Sequence, residues 1–174
     1  MRKKRLLQLT AALLCAVILS ACGGAPADAD YTCTVSISCA TILDNMDQCA
    51  ESKKELVPAD GVILPPTEVA FAEGESAFDV LQRVCRDNGI HLESKFTPVY
   101  NSAYIQGIHN IYEFDVGKLS GWMYAVNDWF PNYGCSLYQV QDGDVIRWVY
   151  TCDLGADVGG GQAAGDGQQE EAST

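Results

Sequence analysis

Short runs of this chain alternate apolar and polar residues, the pattern of strands with one buried face. In residues 31–37 the odd positions are aromatic, aliphatic or cysteine and the even positions are threonine or serine, which predicts an opening strand. Residues 145–151 carry apolar bulk on both faces. This second pattern predicts a central strand.

The most aromatic stretch is residues 120–159, which hold all three tryptophans and four of the eight tyrosines. Its first part, residues 122–126, alternates large and smaller side chains and predicts a strand with a heavy aromatic face. Asn127 and Asp128 break that run. A turn-rich aromatic loop follows, and Asp142-Gly143-Asp144 predicts a tight turn before the last strand.

One helix is predicted at residues 77–88. Ser76 and Asp79 fit a capping box, and Gly89 follows as a left-handed cap. Pro65-Pro66 interrupts the preceding apolar run, so only residues 67–71 are predicted as a strand, at a sheet edge. Residues 92–114 contain further short extended runs. This order predicts an α+β domain, β-grasp-like, with a mixed or antiparallel sheet packed by one main helix.

The N-terminus is typical of an exported lipoprotein. Basic residues 2–5 precede an apolar run, residues 6–19, that is short for a membrane span. Leu19-Ser20-Ala21-Cys22 resembles a lipobox, which predicts a signal peptide at 1–21, diacylation of Cys22 and an anchor on the extracytoplasmic face of the cell membrane. The alternative is a simple uncleaved anchor. We expect a flexible tether at 22–30, a folded domain at 31–159 and a disordered tail at 160–174.

The negative net charge of the chain restricts the classes of partner that it can bind. The formal net charge is −12, and removing the four basic residues of the signal without any acid takes it to −16. Nucleic-acid binding rests on lysine and arginine contacts to phosphates, so no nucleic-acid partner is expected.

Six cysteines remain in the predicted domain. An even set in an exported chain predicts a disulfide framework, although the sequence does not choose its connectivity. A bond such as Cys39 to Cys152 would tie the first strand to the last. A zinc site is disfavoured because no CxxC pair occurs and the two histidines lie far from the cysteines in sequence. The disulfide candidates are Cys33, Cys39, Cys49, Cys85, Cys135 and Cys152.

The sequence contains no catalytic constellation, and we expect a protein that is not an enzyme. Ser120 lacks the GxSxG pattern of a nucleophile elbow. A Cys135–His109 nucleophile and base is disfavoured because a disulfide is expected at this cysteine. A calcium site is less favoured than a role in turns for these acidic residues, because their spacing lacks the DxDxDG pattern. No resident cofactor or metal is expected. The acidic residues concerned are Asp142, Asp144, Asp153 and Asp157.

The aromatic loop is the candidate binding surface. Its rings are difficult to bury together in a turn-rich segment, and exposed aromatic residues on loops are typical of contact surfaces. Tyrosines of the middle strands would extend the patch if the loops gather at one end of the sheet. The predicted ligand-binding residues are Trp129, Phe130, Asn132, Tyr133, Tyr104 and Tyr100.

The segments SAYIQGI, SGWMYAVN, FPNYG and DGDVIRWVYTCDLG resemble the DUF4430 domain of secreted and lipid-anchored bacterial proteins. The resemblance covers residues 69–159. That domain is similar to the small C-terminal β-rich domain of transcobalamin and intrinsic factor, which supplies half of a cobalamin site; a separate helical domain supplies the other half. Relatives carry a cysteine near the position of Val116, which would pair with the one aligned with Cys135. This chain has no cysteine there, so the resemblance leaves Cys85 as the substitute partner of Cys135.

The expected function is therefore a lipid-anchored extracytoplasmic binding module. The resemblance implies a corrinoid such as cobalamin as the ligand to test, delivered to a membrane importer. The alternative is a structural or adhesive cell-surface module that contacts glycan or protein. A concave aromatic pocket would favour the first, and a flat or convex patch the second.

Overall fold

The computed structural model describes Pro26 and residues 29–161. No helix in this part of the chain is long and apolar enough to cross a bilayer. The predicted signal peptide, Cys22 and residues 162–174 lie outside the described residues. Short 3-10 helices occupy Ala40–Asn45, Glu51–Leu56 and Ala156–Val158. The regular elements are β1 (Tyr31–Ser38), β2 (Val62–Phe71), α1 (Ala77–Asp87), β3 (Leu92–Thr97), β4 (Ser102–Ile108), β5 (Ile111–Tyr112), β6 (Gly121–Val126) and β7 (Val145–Thr151).

The larger sheet has four strands in the order β2-β1-β7-β6. β1 and β7 run parallel, and the other two pairs are antiparallel. The prediction of β7 as a central strand is confirmed, and Ile146, Trp148 and Tyr150 on its inner face are all buried. The first and last strands of the domain are therefore direct neighbours.

The middle strands form a separate antiparallel sheet in the order β3-β4-β5. Left-handed residues make the connections: Asn101 at φ 47° before β4, and His109 and Asn110 at φ 56° and 59° before β5. Such tight turns pair each strand with its neighbour in sequence. The α+β class with one main helix is confirmed, whereas the β-grasp arrangement is not, because the strands divide between two sheets.

β2 begins five residues before the strand predicted at residues 67–71. Its register explains this difference, since Val35 pairs with Thr67 and Ile37 pairs with Leu64, which leaves Pro65 and Pro66 in an irregularity between them. β2 is an edge strand, so two residues without an N–H interrupt no second ladder. The edge position is as predicted.

Helix α1 starts as predicted. The Ser76 hydroxyl accepts from the Asp79 N–H at 3.2 Å, and the Asp79 carboxylate accepts from the Ser76 N–H at 2.9 Å. Arg83 lies inside the fold, where it pairs with Glu75 and donates to the Ala70 carbonyl at 2.8 Å. The helix buries Val80, Leu81, Val84 and Cys85 against the sheet core.

The predicted disulfide framework is not formed. All six cysteines of the described part are free, and five of them are buried. They serve as small apolar packing groups on different elements of the core. The carbonyl of Cys135 accepts from the N–H of Phe78 in the first turn of α1, whereas Cys85 lies two turns further on, about 10 Å along the helix axis. The pairing of Cys85 with Cys135 that the family resemblance suggested is not formed, because both thiols are free.

Candidate functional site

A concave groove of about 710 Å³ lies between the smaller sheet and the loop that follows β6. One side is formed by β3, β4 and the turn between them, and the other by residues 131–134. Aromatic rings, aliphatic carbons and a few polar groups share the lining. Its residues are Lys95, Phe96, Thr97, Pro98, Tyr100, Ser102, Ala103, Tyr104, Gln106, Glu113, Pro131, Asn132, Tyr133 and Gly134.

Exposed rings dominate the β3–β4 side. Phe96 is 60% exposed, Tyr100 73% and Tyr104 45%. Apolar side chains of this size are usually covered, so their accumulation along one concave surface indicates a contact site. Lys95 stands directly opposite Tyr104 in the strand register and adds a cationic residue to the groove lining.

A hydrogen bond fixes Tyr104. Its hydroxyl donates to Glu113 Oε2 at 2.5 Å, and Glu113 is held by its own N–H bond to the Gln106 carbonyl at 2.9 Å. Burial and the bond to Glu113 raise the pKa of Tyr104 to about 12. The phenol therefore stays neutral at any physiological pH, with its ring held in the groove wall.

The opposite wall starts from a tight turn at the end of β6. Val126 and Trp129 exchange both backbone hydrogen bonds, at 2.8 and 2.9 Å, around Asn127 and Asp128 at φ 50° and 67°. This is the two-residue hairpin geometry that asparagine and aspartate favour. Trp129 stands 52% exposed beyond the turn, with its ring 6.0 Å from that of Tyr133 in an edge-on contact.

The loop is fastened to β4, so the groove is preformed. Ala103 N–H donates to Ser136 Oγ at 3.0 Å, and the hydroxyls of Ser102 and Ser136 are 2.9 Å apart. At Gly134 a Cβ would fall 1.7 Å from Ser102 Oγ, so this close approach requires glycine. Tyr124 adds a bond from its hydroxyl to the Tyr133 carbonyl at 2.9 Å.

Asp144, a buried carboxylate that is 4% exposed, supports this wall from behind. Its Oδ1 accepts from Asn127 Nδ2 at 2.8 Å, and its Oδ2 accepts from the Tyr138 hydroxyl at 2.9 Å and the Gln141 N–H at 2.8 Å. Asn127 in turn accepts from the Val145 N–H at 2.9 Å. One carboxylate thus joins the hairpin turn, the following loop and the start of β7.

The residues predicted from the sequence divide into three groups. Four of them, Tyr100, Tyr104, Asn132 and Tyr133, line the groove. Trp129 lies outside it and contacts Tyr133. Phe130 points inward and is 8% exposed, packed in a small cluster with Ala125 and Val149.

Sequence reasoning did not identify Lys95, Phe96, Gln106 and Glu113, although each lines the groove. Phe96 carried a usable signal, because it is the one ring in a run of polar and charged residues, LESKFT. The other three are ordinary polar residues in sequence. The pairing of β3 with β4 brings Lys95 and Gln106 to the groove, and Glu113 reaches it through its N–H bond to the Gln106 carbonyl after β5.

The remaining candidate chemistry has structural roles. Burial raises the pKa of Cys135 to about 12, so its thiol is neutral, and its Sγ contacts the Ala103 carbonyl at 3.6 Å. Ser120 Oγ accepts from Val116 N–H and Tyr150 OH and donates to the Gly117 carbonyl. No group of three or more His, Cys, Asp or Glu side chains in the described part is arranged to hold a metal ion.

Comparisons with known proteins give one matching family model and a similar fold. Residues 74–152 match the family model described as "Domain of unknown function (DUF4430)". No curated protein matched the chain. The solved structure titled "Crystal Structure of Haptocorrin in Complex with Cbi" aligns at a TM-score of 0.54 and 14% identity, covering 78% of this chain and 28% of that one. A putative metal binding protein from Ruminococcus gnavus ATCC 29149 aligns at a TM-score of 0.42 and 15% identity, over 70% of this chain and 97% of that one.

Proposed function

We propose that this chain, which carries a DUF4430 domain at residues 74–152, is a binding module whose aromatic groove takes a small molecule. The observation that carries the proposal is the preformed concavity lined by four exposed rings, Phe96, Tyr100, Tyr104 and Tyr133. Its volume of about 710 Å³ lies within the roughly 300–1,000 Å³ of small-molecule sites. A ligand with an extended apolar face would cover these rings and remove them from water.

The polar groups of the groove limit the ligand further. Lys95 and Glu113 contribute one charge of each sign, and Gln106 and Asn132 contribute amides. Such a lining suits a largely neutral ligand that has many hydrogen-bonding groups around an apolar body. A corrinoid is of this kind, and it is the first ligand to test because the haptocorrin structure that shares this fold is titled as a complex with Cbi.

We expect the affinity of this chain for such a ligand to be modest. The chain spans 28% of the haptocorrin chain, and the groove lies open on one side, so it covers one face of a large ligand. Half-covered ligands retain solvated surface, and only the area actually buried contributes to binding. A dissociation constant on the order of micromolar is the expectation, corresponding to roughly 8 kcal/mol.

The location proposed for the module is the extracytoplasmic face of the cell membrane. Its basis is the lipobox, which would make Cys22 the lipid-bearing N-terminus. The tether 22–30 would then hold the domain within about 30 Å of the bilayer, since an extended residue spans about 3.5 Å. A ligand captured there would be close to an importer in the same membrane.

A second candidate is an adhesive module that contacts glycan or protein. Trp129 favours it, because this ring is 52% exposed just after the hairpin turn and lies outside the groove. The exposed Trp129 ring meets that of Tyr133 in a T-shaped contact, so the two rings together offer an aromatic surface outside the groove. Such a surface suits a sugar ring or a partner protein better than a small molecule that needs enclosure.

Calorimetric titration of the full chain with cobinamide and cobalamin tests the first candidate. Tyr100→Ala removes a groove ring that is 73% exposed, and Leu154→Ala removes a similarly exposed apolar side chain, 65%, outside the groove. We expect about tenfold weaker binding for Tyr100→Ala, a loss of about 1.4 kcal/mol, and no change for Leu154→Ala.

Absence of binding of either corrinoid at high micromolar concentration would reject the corrinoid as ligand. Equal losses in the two variants would reject the groove as the site. The adhesive candidate would gain support if a glycan panel bound the chain and Trp129→Ala abolished that binding while Tyr100→Ala left it unchanged.

A further inference from the structure

Strand β3 has an open edge. It pairs with β4 on one side, and no other strand of the described residues pairs with its second side. Four of its six residues are exposed, whereas β6, an edge of the larger sheet, has four of six buried. The other edge of that sheet, β2, carries Pro65 and Pro66, which lack the N–H groups that a new strand would need. An unpaired edge such as that of β3 is a template for a further strand.

The free side of β3 is regular. The register with β4 shifts between Glu93 and Ser94, and the extra residue there, Gln106, belongs to β4. Outside the β3–β4 ladder, the one backbone hydrogen bond to β3 in the described part of the chain runs from the Tyr100 N–H to the Thr97 carbonyl, at 3.2 Å. The backbone groups along the free side are therefore available to another strand.

The sequence of β3 is complementary to itself. When two copies pair antiparallel about Ser94, Glu93 of each copy faces Lys95 of the other, and Leu92 of each faces Phe96 of the other. Opposite charges directly across a strand pair are stabilising, and like charges are destabilising. Centring the pairing on Glu93 or on Lys95 instead would place two like charges opposite each other. The charges of this strand thus favour one register.

The side chains that this register matches are accessible. Lys95 is exposed, and it has no ion-pair partner among the described residues. Glu93 is also exposed, and its Oε2 accepts from the Tyr112 hydroxyl at 2.8 Å, which leaves Oε1 for a second donor. Phe96 is 60% exposed, and contact with Leu92 of a second copy would cover part of its ring.

We propose that the chain forms a two-fold dimer through β3, with Ser94 on the axis. The two smaller sheets then become one six-stranded sheet in the order β5-β4-β3-β3-β4-β5. Side chains opposite each other in an antiparallel pair point to the same face, so the two aromatic grooves open on one side of this sheet. Five residue pairs bury much less than the roughly 800 Å² per partner of a standard interface, so the dimer is weak and reversible.

Sedimentation velocity of the full chain over a series of concentrations measures the dimer. Lys95→Glu and Glu93→Lys each place two like-charge pairs across the axis, and each should weaken the dimer at least about tenfold. An equimolar mixture of the two variants should dimerise again, because one strand then carries two lysines and the other two glutamates. Lys118→Glu and Glu55→Lys make the same charge changes at exposed positions away from β3 and should leave the dimer unchanged.

Cross-linking tests the register. Ser94→Cys should form a disulfide between two copies under mild oxidation, because this position faces itself across the axis. Thr97→Cys should not, since its two copies would lie six residues apart along the paired strands, about 20 Å. The unaltered chain is the control for its own thiols.

The proposal would be overturned by a chain that stays monomeric at every concentration, or by a dimer that either charge reversal leaves unchanged. A mixture of the two variants that fails to dimerise would also overturn it, as would equal cross-linking of Ser94→Cys and Thr97→Cys. A monomer whose β3 amide resonances move with an extended peptide would assign the edge to a peptide instead of a second copy. None of these measurements uses a groove ligand, so their result and that of the corrinoid titration are independent.

Discussion

Replacing Asp144 by asparagine is the sharpest test of how the groove is held in shape. The carboxylate is 4% exposed and accepts three hydrogen bonds, from Asn127, Tyr138 and the Gln141 N–H. Asparagine has one acceptor oxygen, so its NH₂ group would face either the Asn127 amide or the donors of Tyr138 and Gln141. Asn127 cannot turn its amide to compensate, because its own oxygen already accepts from Val145 N–H.

The expected cost is set by the bond that is lost. A hydrogen bond to a charged acceptor contributes about 1.5–3 kcal/mol, so Asp144→Asn should lower the free energy of unfolding by about 2 kcal/mol. Asp144→Ala leaves all three donors without this acceptor and should cost about 4 kcal/mol. For a domain of this size the asparagine variant should melt roughly 8 °C lower. Because the carboxylate supports the hairpin turn, ligand affinity should also fall.

Urea unfolding followed by tryptophan fluorescence measures the free energies, with Asp142→Asn as the matched control. Asp142 lies in the same turn but is exposed, and it accepts a single bond from the Thr32 N–H at 2.9 Å. Its replacement should change the free energy of unfolding by less than about 0.5 kcal/mol. Equal effects of the two substitutions, or a change below 0.5 kcal/mol for Asp144→Asn, would refute the reasoning.

Three further predictions concern other parts of the fold. Ser76→Ala removes the helix cap and should cost about 1 kcal/mol in urea unfolding, whereas Ser94→Ala on an exposed strand position should be neutral; equal effects would contradict the capping role. Arg83→Met leaves Glu75 without its ion-pair partner and should cost about 2 kcal/mol, whereas Arg86→Met, with a side chain 68% exposed, should cost almost nothing, and the same assay decides between them. Burial raises the pKa of four thiols from 9.0 to about 12, so the unfolded chain ionises first and stability should fall between pH 9 and 12, by up to about 1.4 kcal/mol per pH unit for each thiol. Unfolding at pH 8 to 10 measures this fall in stability. Alkylation of the unfolded chain without reductant tests whether the thiols are free, and unreactive cysteines would contradict that. The four are Cys33, Cys39, Cys85 and Cys135.

The elements that the sequence predicted well are those decided by neighbours in the chain. The capping box of α1 needs only Ser76 and Asp79, and the strand character of β1 and β7 follows from their alternation. β2 was predicted too short because the tolerance of Pro65 and Pro66 depends on the edge position and on the register with β1. That register belongs to the tertiary structure.

The groove was also predictable only in part, because the local sequence shows which residues are aromatic but not which way each side chain points. The aromatic residues of the loop and of the middle strands indicated a surface, and Tyr100, Tyr104 and Tyr133 do meet there. Phe130 could not be distinguished from its neighbours, because only the folded loop directs this ring inward onto Ala125. The cysteines were interpreted from their even number and expected compartment, whereas the structure leaves all six of the described part as free thiols.

The parallel pairing of β1 with β7 has a consequence for how the chain acquires its structure. Thr34 and Val145 are partners although roughly 110 residues separate them, so β1 has only β2 beside it until the last strand has been synthesised. Closing so large a loop is entropically slow, and such non-local pairing predicts folding in milliseconds to seconds rather than microseconds. A nascent chain would leave the N–H and C=O groups on that edge of β1 unpaired throughout that interval. Loss of residues 145–159 would therefore remove β7 and with it the central strand pair of the larger sheet, whereas loss of β3 would affect only one edge of the smaller sheet.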